Sequence, residues 1–420
     1  ERLSRQLEQY YAGATTADLF PKWAPLVDRL MGNEGKALRE IGSGGVNARP
    51  YFTQLKSDHP EQILLLHYNG RSHDPLDPLV KGVASGVRKF FAGHWLYHEG
   101  LRFLGSEVTD LPDNADHRPV SRIALDSRRL GRTVELVGTT PDHALLPVPL
   151  DAVICPVGSA DGVSFLDWQC AEQVTITARP NRGSITVLRA RYGTRKLAIE
   201  DAETYYIATH VQPDYGREDP WWMYNFSFAC PRDGTGKNCA DILIDIMGEQ
   251  FNGTVDSSGT PAPGPLASFD GVEFDVLYHD LGLGKEYVDC DLDGRADHGV
   301  IAGLNTFGIG VWNFCEGLRA RLGDGRLILA DGQESGNQRC VGLLNGIESE
   351  GFPSGPDMEC GGWSSGLNRL RFWKLNARPP AFSYINHKFW SGGTQFETEQ
   401  VPGHLSRLVF AAGVVSGAAL

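Results

Sequence analysis

Apolar and polar positions follow two different rhythms along this chain. In Pro60-Glu-Gln-Ile-Leu-Leu-Leu-His-Tyr-Asn-Gly70, four consecutive apolar residues stand between a turn proline and Asn-Gly. Such a run predicts a strand buried on both faces, as in a parallel sheet wrapped by helices. The stretch before it reads helical, and a second helix is predicted over residues 79–91. From about residue 120 to 208 the rhythm changes to short β-rich runs punctuated by Gly, Pro, Asp and Asn. Arg132-Thr-Val-Glu-Leu-Val137, Glu172-Gln-Val-Thr-Ile-Thr177 and Ser184-Ile-Thr-Val-Leu-Arg189 are examples, the last two joined as a hairpin by Pro180-Asn-Arg-Gly183.

Beyond residue 216 the first rhythm returns. Trp221-Trp-Met-Tyr-Asn-Phe226 predicts a strand, and Asn238 is placed to cap a helix with Ile242, Leu243, Ile246, Met247 and Phe251 on one face. Further strands are expected at residues 271–277, 326–330, 341–347 and 380–385. A helix carrying Trp312, Cys315, Leu318 and Leu322 ends at Gly323. Strands alternating with helices argue for an α/β fold. The expectation is a TIM-type (β/α)8 barrel interrupted by an inserted antiparallel β-domain, with an open doubly wound sheet as the rival. In outline, residues 1–104 form the N-terminal part of the barrel, 105–215 the insertion and 216–420 the remainder. No Gly-x-Gly-x-x-Gly or P-loop follows any strand, which removes the usual nucleotide signatures.

Composition narrows the function. The 420 residues carry 39 basic and 52 acidic side chains, a net charge of −13, and no basic cluster. Nucleic acid is thereby excluded as a partner, and a strongly anionic polysaccharide is disfavoured. Glu1-Arg2-Leu3-Ser4 opens a polar helix-like stretch, and the apolar run at residues 408–420 is shorter than the ~18 residues of a membrane span. Eight cysteines with only four methionines favour an exported, oxidising setting, with Cys230 and Cys239 as the best local disulfide pair. The expected location is secreted or cell-surface.

Candidate chemistry sits at the ends of the apolar runs. There the chain places His67 and Asn69, Tyr224 and Asn225, Asp275, Asp331, Glu348 with Glu350, and Asn386 with His387. Acids and neutral polar groups dominate. That is the stock needed to cleave a glycosidic bond, where one carboxyl donates a proton while another attacks or activates water. In Phe269-Asp-Gly-Val-Glu-Phe-Asp275, strand alternation points Glu273 and Asp275 to one side, and Asp275 is the strongest single candidate. Glu348 and Glu350 share a face in the same way. Of the adjacent Trp221 and Trp222 only one can face a ligand, and Trp222 is the candidate for stacking on a sugar ring.

Phe269-Asp-Gly-Val-Glu-Phe-Asp275, Asp331-Gly and Asn345-Gly-Ile-Glu348 resemble the strand-end motifs of uncharacterised glycoside-hydrolase-like (β/α)8 proteins of bacterial genomes. The resemblance implies a TIM barrel with carboxylate catalysis, Asp275 as nucleophile and Glu348 as acid/base, Asp331 being the other candidate for the acid. A separate motif, Asp289-Cys-Asp-Leu-Asp-Gly-Arg-Ala-Asp297, has carboxylates at positions 1, 3, 5 and 9 and glycine at 6. This is the spacing of a calcium loop, so Asp289, Asp291, Asp293 and Asp297 are candidate ligands of a structural Ca2+. Val300 replaces the usual acid at position 12, and Asp280 is a candidate substitute. The function expected is extracellular hydrolysis of an oligo- or polysaccharide. The alternative is a non-catalytic carbohydrate-binding, cell-surface or extracellular structural protein, a reading that leaves self-assembly open.

Overall fold

The computed structural model describes residues 53, 56–73, 75, 90–125, 148–181, 183–213, 221–282, 287–332, 338–350, 352, 360–386, 390–391, 394–395 and 403–419. Strand β1 (Leu65–Asn69) comes first. Eight strands then build an antiparallel sheet: β2 (Leu101–Leu104), β3 (Val108–Leu111), β4 (Val120–Ala124), β5 (Leu150–Ala160), β6 (Val163–Leu166), β7 (Glu172–Asn181), β8 (Ser184–Leu188) and β9 (Thr204–Thr209). Their order is β2-β9-β5-β7-β8-β4-β3, with β6 paired to β5. Helix α1 (Cys239–Asn252) precedes β10 (Gly271–Asp275), and α2 (Thr306–Leu322) precedes β11 (Leu327–Asp331). Then come β12 (Gly346–Glu350), α3 (Cys360–Asn376), β13 (Tyr384–Asn386) and α4 (Gly403–Ser416).

The expected closed (β/α)8 barrel is not the fold. Among the described residues the parallel sheet has five strands, β1-β10-β11-β12-β13, and no pairing joins its two ends. The larger sheet is antiparallel throughout. Of the six strands expected outside the insertion, one is missing from this sheet and another starts late. The run at 221–226 forms only the two-residue strand Trp222–Met223, paired antiparallel with Ser72–His73. The run at 341–347 becomes strand only from Gly346 onward. The predicted strand at 132–137 and most of the predicted helix at 79–91 lie outside the described residues.

Two cores hold the chain. The antiparallel sheet curls around its own, in which Phe103, Ile123, Ala152, Ile154, Val174, Ile176, Val187 and Ile207 meet. Alternation sends the neighbours Val153, Cys155, Tyr206 and Ala208 to the main core, which also takes the helices and one face of the parallel sheet. Within the first sheet Arg189 and Glu172 are both fully buried and form a forked ion pair, with Nη2 to Oε2 at 2.5 Å. Glu172 also accepts the amides of Ala190 and Leu197.

The helices form where the sequence caps them. Asn238 Oδ1 accepts the Asp241 amide while the Asp241 carboxylate reaches back, a reciprocal cap. Asn305 caps α2 through the Gly308 amide. Phe314 of α2 meets Phe274 of β10 edge to face at 5.5 Å. At the foot of the sheet, buried Asn345 accepts from the Ile328 amide and from Arg319, and donates to the carbonyls of Arg378 and Pro380. Arg319 itself also holds the carbonyls of Arg326 and Leu343. No helix among the described residues is long and apolar enough to cross a membrane. All eight cysteines are free, so the expected Cys230–Cys239 bridge is absent; Cys230 Sγ instead lies 3.5 Å from the Gly93 carbonyl.

Candidate functional site

Alternation along five adjacent strands builds the site. One face of the parallel sheet carries Leu66, Tyr68, Val272, Phe274, Ile328, Ala330, Ile347 and Ile385, all buried in the main core. The opposite face then receives His67 and Asn69, Glu273 and Asp275, Asp331, Glu348 and Glu350, and Tyr384 and Asn386. Because the strands are parallel, every second acid lies at the same end, their C-terminal end. Gly271 and Gly346, lower on that face, let the strands approach closely: a Cβ at either would run into the carbonyl of Leu327 or Phe382.

The acids fall into two tiers. In the deeper one, ligand atoms of His67, Glu273 and Glu348 all lie within 4.8 Å of one another. In the outer one, Asp275, Asp331 and Glu350 do the same. Asp275 and Glu350 are partly open to solvent, whereas Glu273, Asp331 and Glu348 are buried.

Glu348 is held by two donors, the Tyr384 hydroxyl at 2.8 Å and Asn386 Nδ2 at 2.7 Å. Asp331 accepts the Tyr278 hydroxyl at 3.0 Å. Both phenols are pushed well above their ordinary range, by burial first and then by the adjacent carboxylates, so they remain donors. Glu273 differs. Neither of its oxygens meets a hydrogen-bond donor, and His67 Nε2 stands 3.3 Å away. Burial, followed by the charges of Glu348 and Asp275, raises its pKa well above the carboxylate range. Burial thus favours the neutral form of the Glu273 carboxyl over the ionised one.

Just past Asp275 the backbone is strained. Val276 has φ of +52°, a left-handed conformation that a β-branched residue rarely adopts. The turn it makes, closed by the Tyr278 amide on the Val276 carbonyl at 3.0 Å, carries the phenol to Asp331. Strain of this kind concentrates at functional sites.

Several sequence candidates have other duties. Asn69 Oδ1 accepts the amides of Arg71 and Ser72 and so shapes the turn after β1. Trp222 is fully buried, stacked on His210 with ring centroids 3.6 Å apart, and its Nε1 donates to Asp151. Tyr224 shares a 2.6 Å hydrogen bond with Tyr68 inside the core, and buried Asn225 donates to the Cys290 carbonyl. All three are buried in the interior. His387 lies outside the described residues. The sequence reading leaves Glu273, Tyr278 and Tyr384 without roles; alternation with Asp275 is the signal that exposes Glu273, while the tyrosines need the tertiary fold.

The second motif only partly converges. Asp289, Asp291 and Asp297 offer oxygens within 4.8 Å of one another. Asp293 is exposed and accepts the Arg295 amide at 2.8 Å, apart from that group. Asp280, the candidate substitute, is exposed too; it accepts the Gly282 amide and contacts His279. Burial and the neighbouring carboxylates push Asp289 up to about 8. No protein-family model matches the chain, and no curated protein matches it.

Proposed function

We propose that this chain hydrolyses a glycosidic bond in a neutral or weakly charged oligo- or polysaccharide, with carboxyl groups at the C-terminal edge of the parallel sheet. The observation that carries the reading is the outer tier. Asp275, Asp331 and Glu350, from three neighbouring strands, converge within 4.8 Å where two of them meet solvent. Carboxyls so close raise one another's pKa, which favours a retained proton on one of them. A protonated acid beside an ionised carboxylate is what protonation of a leaving oxygen and attack at the anomeric carbon require. Asp275 and Glu350, the accessible pair, are assigned as nucleophile and acid/base. Asp331, fixed by Tyr278, and the Glu273–Glu348 pair beneath them set the local charge. The net charge of −13 agrees with an uncharged substrate.

The separation of the two reacting carboxyls decides the stereochemistry, ~5–5.5 Å giving retention and ~6.5–9.5 Å leaving room for a water and giving inversion. The test is product release from a panel of α- and β-linked oligosaccharides and aryl glycosides, with the first-formed anomer followed by NMR. The wild type is expected to release sugar, and Asp275→Asn to lose about 10²–10⁴-fold in rate. Equal release by both proteins, or none by the wild type anywhere on the panel, overturns the reading.

A further inference from the structure

A second acidic site lies away from the strand ends, in the loop between β10 and α2, and the hydrolytic reading does not use it. The loop doubles back on itself. Asp289 Oδ2 accepts the Gly294 amide at 2.8 Å, and Gly294 takes a φ of +95° that suits glycine. Asp297 accepts the amides of Cys290, Asp291 and Gly299. These bonds fix Asp289 and Asp297, and one oxygen from each of Asp289, Asp291 and Asp297 lies within 4.8 Å of the others.

The other oxygen of Asp289 supplies the independent observation. The residue is only 1% exposed, and its Oδ1 meets no donor at all. A buried carboxyl oxygen without a partner is costly, and the two further carboxyl groups beside it supply no donor. A cation between them removes this penalty.

We propose that this loop binds one divalent cation, calcium in preference to magnesium, through the carboxylates of Asp289, Asp291 and Asp297. The three side chains offer hard oxygen ligands from an irregular loop, which suits the flexible, high coordination of Ca2+ better than the strict octahedron of Mg2+. Three side-chain ligands and no acid at Val300 put the affinity at the weak end, a Kd of about 10⁻⁴–10⁻³ M.

The position gives the ion work to do. Trp168 Nε1 donates to the Leu292 carbonyl at 3.0 Å, and Asn225 Nδ2 donates to that of Cys290 at 2.9 Å. Val288–Asp289 pairs antiparallel with Tyr97–His98, and Thr306, the first residue of α2, holds the Gly299 carbonyl. A bound cation therefore braces the place where the antiparallel sheet, the segment at 97–98 and the start of α2 meet.

The full chain, stripped with chelator and dialysed, is titrated with CaCl2 by calorimetry and with Tb3+ by luminescence excited through tryptophan, Trp168 being hydrogen-bonded to the loop. One site per chain is expected, with a rise in Tm of about 1–2 °C at ten times Kd. Asp289→Asn and Asp291→Asn should each weaken binding by about tenfold or more, and Asp280→Asn should leave it unchanged. Magnesium should bind at least about tenfold more weakly than calcium. If Asp289→Asn fails to fold, Asp291→Asn, at a partly exposed position, decides the matter. No saturable calcium binding up to ~10 mM, or binding that both loop variants leave intact, overturns the proposal.

Discussion

Replacing Glu273 by glutamine should make the protein more stable, and increasingly so as pH rises. Glu273 is 1% exposed, has no hydrogen-bond donor on either oxygen, and carries a pKa raised by burial and by Glu348 and Asp275. A carboxyl whose pKa is raised by folding contributes its full stability below the unfolded value, ~4.3, and loses it as pH climbs toward the folded value. The loss runs at up to about 1.36 kcal/mol per pH unit. Glutamine keeps the shape and the donor hydrogen toward Glu348 but has no proton to lose. The two proteins should therefore unfold alike near pH 4, and the variant should lead by at most about 3.7 kcal/mol at pH 7. With an unfolding entropy of ~2.1 cal/mol/K per residue, 420 residues unfolding together correspond to about 0.9 kcal/mol/K. The lead in Tm is then at most about 4 °C at pH 7. Differential scanning calorimetry of both proteins between pH 4 and 8 measures it. A difference that does not change with pH, or a variant less stable at every pH, would refute the protonated Glu273.

Two further outcomes follow from other parts of the structure. Glu172→Gln leaves the buried Arg189 guanidinium without its counter-charge, and equilibrium urea unfolding should show a loss of about 3–5 kcal/mol. Val276→Gly relieves the left-handed strain beside Asp275, and the same assay should show the relief, about 1–3 kcal/mol, offset in part by glycine's entropy.

The local reading of the sequence and the assembled fold part company at identifiable places. Strand β11 is legible as an apolar run ending in acid and β10 as an alternating one, while β12 is caught only at its first two residues. Asn238 is legible as a cap because its side chain competes for a free helix amide. Alternation within one strand is enough to place Glu273 beside Asp275, and Glu348 beside Glu350. Closure of a ring was not legible, because an apolar run reports burial and not which strand lies alongside. The segment at 221–226 shows the cost. Trp222 and Tyr224 are as apolar as any strand, yet they fill the space between two sheets, where His210 and Tyr68 receive them. The calcium-like spacing at 289–297 brought three carboxylates together and left Asp293 out, since spacing fixes reach but not direction. The convergence of Tyr278 and Tyr384 on the acids depends on pairs 53 and 36 residues apart, for which no local pattern exists.

Asn345 and Arg319 gather five carbonyls and one amide at the lower hem of the parallel sheet, as far from the acids as those strands allow. Fastening and chemistry thus occupy opposite selvedges of the same cloth. Side chains along the upper one can be exchanged, singly or together, while the weave stays anchored below, which gives the fold latitude to accept new substrates by changing its strand ends alone.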